Sequence, residues 1–64
     1  MVGERIKEYM SANGIKQAFI AEQAGITKVK MSEICNRRKS IDCVTYYKIC
    51  KALKVPLETF VEGE

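Results

Sequence analysis

From one end of this chain to the other, apolar residues step by three and four, and no stretch alternates. That spacing puts side chains on one stripe of an α-helix, whereas a half-buried strand needs strict alternation. The expected fold class is therefore all-α, without strands. Val2, Ile6, Tyr9, Met10 and Asn13 share a face, which predicts a first helix over roughly residues 2–13, closed by Gly14. Gln17 to Ala24 reads as a short second helix with a narrow face of Ile20, Ala21 and Ala24, stopped by Gly25. Thr27 caps a third helix whose buried stripe is Met31, Ile34 and Cys35. Asn36 to Ser40 is polar and basic and reads as a loop. Asp42 caps a fourth helix with Cys43, Tyr46, Ile49, Cys50 and Leu53 as its buried face. Pro56 opens a short fifth helix with Leu57, Phe60 and Val61 on its apolar side.

Five short helices in 64 residues make one domain, 1–64, with too little chain for a second. A domain this small needs nearly all its apolar residues in one core. No apolar run approaches the length of a membrane span, and the first residues lead into none, so a cytoplasmic location is expected. The three cysteines, Cys35, Cys43 and Cys50, are an odd number without metal-ligand spacing, and histidine is absent. All three are read as small buried hydrophobes in a reducing compartment. With no histidine, no nucleophile–base pair and no phosphate-cradling glycine loop, an enzyme is not expected, and neither is a cofactor or a metal. So short a chain also leaves little room for a small-molecule pocket.

Charge is unevenly placed. Before Lys16 the acids and bases cancel. Between residues 16 and 39, Lys16, Lys28, Lys30, Arg37, Arg38 and Lys39 face only Glu22 and Glu33. From residue 40 onward acids slightly exceed bases. A local basic excess suits a polyanion.

That excess surrounds the most informative stretch, Gln17 to Ile34. Ala21 is small where two steeply crossed helices must approach. Gly25 takes the turn because it has no Cβ. Ile26 plugs the turn into the core, and Thr27 accepts a bond from the first free N–H groups of the next helix. Met31 and Ile34 hold that helix down. Its polar and small residues then face outward near a helix N-terminus, the arrangement that enters a DNA major groove. Lys28 can donate to guanine O6 or N7, Val29 can press on a thymine methyl, Ser32 can serve donor or acceptor, and Glu33 can accept from cytosine N4. Glu33 also reads as a surface partner of Lys30 or Arg37.

The segment resembles the helix-turn-helix of the Cro/phage-repressor (XRE) family. Gly3-Glu4-Arg5-Ile6-Lys7 is similar to that family's opening, and Ile49 to Glu58 to the end of its fourth helix. The resemblance implies a compact five-helix, lambda-repressor-like domain that binds double-stranded DNA. It implies base reading by Lys28, Val29, Ser32 and Glu33, and phosphate contacts from Gln17 and Asn36. Lys16, Lys30, Arg37, Arg38 and Lys39 would add phosphate contacts that set affinity and register.

A transcription regulator, commonly a repressor, is the implied role, binding a two-fold operator as a weak homodimer formed through Leu57, Phe60 and Val61. The alternative is a protein-interaction module of antitoxin type on the same fold. Two departures stand out. Lys16 occupies a position where the family commonly has a Ser or Thr cap. Met10 and Cys35 stand where a buried Arg and Glu are frequent, a joint replacement that predicts contact between them. Phe19 falls off the buried face and is expected on the surface or over the first helix.

Overall fold

The computed structural model describes residues 2–36 and 40–61. Four α-helices follow one another: α1 Val2–Ala12, α2 Gln17–Ala24, α3 Lys28–Cys35 and α4 Cys43–Leu53. A 3-10 turn, Leu57–Phe60, comes last, and no strand occurs among the described residues. The fold is the all-α one expected. The fifth helix is a single 3-10 turn, with Pro56 at its cap (φ −65°), rather than an α-helix.

Three helices stop by the same device. The N–H of Ile15 reaches back to the Met10 carbonyl at 2.8 Å, that of Ile26 to Ala21 at 2.9 Å, and that of Val55 to Cys50 at 3.1 Å. Each reach requires a left-handed residue just before it. Gly14 (φ 66°) and Gly25 (φ 74°) supply two of them without steric cost, and Lys54 (φ 61°) supplies the third against its preference.

α2 packs on both α3 and α4, and α1 packs on α3 and the 3-10 turn. One cluster fills the centre, with Ile6 and Met10 from α1, Ile20, Ala21 and Ala24 from α2, Met31, Ile34 and Cys35 from α3, Ile49, Cys50 and Leu53 from α4, and Phe60. Met10 and Cys35 are both buried in this cluster, on two helices that pack together, so neither thioether nor thiol strands a charge. Gly3 allows a close approach. A Cβ placed there would lie 2.1 Å from the Ile34 carbonyl oxygen, so α1 touches the end of α3 through backbone.

The buried face of α4 differs from expectation at its start. Cys43 is exposed, and Thr45 is buried in its place. Thr45 steps by four to Ile49 and again to Leu53, so it lies on the core stripe, but a polar residue escapes an apolar count. Its hydroxyl lies beside the Asp42 carboxylate and holds that group below the ordinary carboxylate range. Asp42 sits at the N-cap of α4 without closing a side-chain capping bond. Burial pushes the thiols of Cys35 and Cys50 up, Lys7 partly opposing the shift at Cys35.

The 3-10 turn is fastened on two sides. Arg5 Nη1 donates to the Phe60 carbonyl at 3.1 Å, and the Tyr46 hydroxyl donates to the Leu57 carbonyl. The Phe60 ring is edge-on to Tyr9 at 5.6 Å and to Tyr46 at 6.4 Å.

Candidate nucleic-acid interface

α3 is built to stand away from the body on one side. Its N-terminus is fixed by Thr27, whose Oγ1 accepts from the Lys30 N–H at 3.0 Å. A cap of this kind is worth about 1 kcal/mol and sets the helix start to the residue. Met31, Ile34 and Cys35 then enter the core at no more than 2 % exposure. The turn before α3 is held by Gly25 and by half-buried Ile26.

Three of the four residues expected to face bases remain outward. Lys28 and Ser32 are exposed, and Val29 is 68 % exposed, a large apolar side chain kept in water. Glu33 is half-buried. Lys28 and Ser32 lie one helical turn apart, so they share a face. Lys30 is half-buried and near enough to Asp42 to help lower that carboxyl, so part of its charge serves the start of α4.

At the neighbouring helix start, Lys16 is the N-cap of α2 and makes no side-chain capping bond. Lys16 is exposed and has no acceptor to cap with, and half-buried Gln17 follows at the first helical position. Both flank the first turn of α2, where N–H groups lack partners inside the helix and favour an anion. Arg37, Arg38 and Lys39 lie outside the described residues.

Asn36 ends α3 and behaves differently from a free surface amide. Its Nδ2 donates to the Ser32 carbonyl at 2.9 Å and to Ser32 Oγ at 3.2 Å. Its Oδ1 accepts from Lys7 Nζ at 3.3 Å. The sequence pointed to Asn36 as a phosphate ligand; the structure gives its amide partners within the protein. Nothing in the sequence pairs Lys7 with Asn36, because only the fold brings α1 over the end of α3.

Of the three residues expected at a dimer surface, Phe60 is 3 % exposed and belongs to the core. Leu57 and Val61 are exposed and border a shallow apolar cleft with Cys43, Tyr46 and Tyr47. Phe19 is exposed and lines a second cleft with Ile15, Ile20, Ala52 and Leu53, the surface position expected for it. Among the described residues no group of acids or cysteines could hold a metal ion, and no helix is long and apolar enough to cross a membrane.

No curated protein and no solved structure matches this chain significantly. The profile of one domain family does, over residues 5–63, which takes in α2, the Gly25 turn, α3, α4 and most of α1. The chain belongs to the Cro/C1-type helix-turn-helix DNA-binding domain family.

Proposed function

We propose that this chain is a sequence-specific regulator of transcription, acting as a repressor on double-stranded DNA. The observation that carries this reading is the division of α3: three side chains locked in the core and Lys28, Val29 and Ser32 held outward near a capped N-terminus. Lys28 and Ser32 are assigned to base edges by hydrogen bonding, Val29 to a thymine methyl, and Glu33 to a cytosine amino group. Lys16, Gln17 and Lys30 are assigned to phosphates, as are Arg37, Arg38 and Lys39. Occlusion of a promoter is enough for repression and requires neither catalysis nor a cofactor.

One recognition helix reads too few base pairs to select a site in a genome, so the operator is two-fold and the protein is a homodimer on it. Leu57 and Val61 are the apolar residues offered for that contact. The dimer is weak and forms on DNA, in the cytoplasm.

Selection of binding sites from random duplexes, at two salt concentrations, tests the reading. The expected result is a two-fold motif with half-sites about one helical turn apart, and Lys28→Ala should relax one base position by about 1–3 kcal/mol. Sedimentation should show dimers on that duplex. Salt-sensitive binding without enrichment would leave a basic surface with no readout and would favour a protein partner instead.

A further inference from the structure

Six large apolar side chains are exposed among the described residues, and four of them gather on α4 and the 3-10 turn. Tyr47, Leu57 and Val61 line one cleft with Cys43, Tyr46 and Glu58, and Val44 lies one helical turn before Tyr47. Val44 and Tyr47 are each more than half exposed. Of the other two, Val29 stands on the reading helix and Phe19 in a separate cleft.

We propose that the outer face of α4 is the centre of the contact with a second copy of this chain. Tyr47 is its anchor, and Glu58 of one copy pairs with Lys51 of the other. This deepens the dimer reading above and rests on it.

The cleft is suited to being covered. The Tyr46 hydroxyl in its lining already donates to the Leu57 carbonyl, so closing the cleft does not strand that group. Tyrosine is also a residue type that anchors interfaces, and Tyr47 is the exposed ring of this face.

Charge decides the occupant. On the turn side the cleft carries an acid, Glu58. On the helix side Lys51 holds its ammonium 5.8 Å from the centre of the Tyr47 ring. A contact between identical copies sets residue i of one against j of the other, and j against i. A two-fold axis running between helix and turn lays the turn of each copy on α4 of the other, so Glu58 meets Lys51 twice. A patch with an acid on one border and a base on the opposite border is complementary to itself. A partner of single-signed charge would meet like charge at one border. A standard stable interface takes about 20–30 residues a side, so a patch of a few apolar side chains holds two copies only where the operator brings them together.

The test compares affinity for a selected two-fold operator with affinity for the same duplex with one half-site scrambled, by fluorescence anisotropy. The proteins are the wild type, Tyr47→Ala, Glu58→Lys, Lys51→Glu and the double charge reversal, each checked for melting. All three substituted side chains are exposed. Tyr47→Ala should leave half-site affinity within about twofold and lower operator affinity about tenfold. Each single charge reversal should lower the operator-to-half-site ratio about fivefold, because two like-charged pairs form in one dimer. The double reversal should restore the ratio. The half-site measurement corrects for any change in the field that one copy presents to DNA. If Tyr47→Ala fails to fold, the charge-reversal set decides.

A ratio that Tyr47→Ala leaves unchanged, or that the double reversal fails to restore, would overturn the proposal and leave the dimer reading standing. A wild type that binds the operator only as two independent half-sites would overturn both, with base reading by α3 untouched.

Discussion

Gly3→Ala is the substitution whose outcome follows most directly from the geometry. The added Cβ would lie 2.1 Å from the Ile34 carbonyl oxygen and 3.1 Å from its carbon. Close carbon–oxygen contacts in proteins settle at about 3.3–3.6 Å, so the shortfall is about 1.2 Å. Both sides are helical backbone, so no rotamer change relieves the clash and α1 must move off α3. A gap of about 0.5–1 Å forfeits a quarter to a half of the dispersion attraction across it. Ile6 and Met10 on α1 would lose part of their packing against the cluster. Overpacking of this kind costs about 1–3 kcal/mol.

Alanine's helix propensity offsets part of this, by less than the roughly 1 kcal/mol of a helix interior because Gly3 is in the first turn. The net loss is about 1–2 kcal/mol, out of a total stability of about 3–10 kcal/mol for a chain of this length. In a domain of this size it lowers Tm by about 5–15 °C. Thermal and urea unfolding followed by circular dichroism would measure it, with Ser11→Ala, on the exposed side of α1, as the control. A Gly3→Ala protein that melts at or above the wild type would refute the close approach of α1 and α3.

Other substitutions test the helix ends and the thiols. Lys16→Ser supplies the missing cap of α2 and should raise stability by about 1 kcal/mol while lowering DNA affinity, two opposite signs read by unfolding and by fluorescence anisotropy. Thr27→Ala removes the bond to the Lys30 N–H and should cost about 1 kcal/mol in urea unfolding. Lys54→Gly relieves a left-handed lysine and should stabilise by about 1 kcal/mol, with calorimetry as the check. In the native protein Cys43 should react with a thiol reagent at once, and Cys35 and Cys50 only on unfolding. The raised pKa of the two buried thiols also sets a sign: above the ordinary thiol pKa the unfolded chain loses these protons first, so stability should fall with rising pH there, and a flat alkaline limb would contradict it.

Local chemistry was legible in the sequence, and long-range placement was not. Gly25, Ile26 and Thr27 act within a few residues of themselves, so the turn and the start of α3 could be read from spacing alone. Lys28, Val29 and Ser32 followed, because Met31, Ile34 and Cys35 leave them no other side of the helix. Cys43 misled because an apolar count prefers cysteine to threonine, although Thr45 has the better register and a carboxylate for its hydroxyl. Phe60 belongs to the core and not to a dimer surface, and a four-residue 3-10 turn carries no periodicity to show its inward side; rings far apart in sequence, Tyr9 and Tyr46, pack against it. Lys7 needed the fold itself, which lays α1 across the end of α3.

The split of α3 has a consequence for how chains of this kind diversify. Met31, Ile34 and Cys35 hold the helix and Lys28, Val29 and Ser32 face solvent, two separate sets. Lys28 and Val29 could be exchanged for other polar or small side chains while Met31, Ile34 and Cys35 stay as they are. Exposed substitutions away from caps usually move stability by about 0.5 kcal/mol or less. A duplicated copy could therefore acquire a new DNA address one base pair at a time and melt where its parent does.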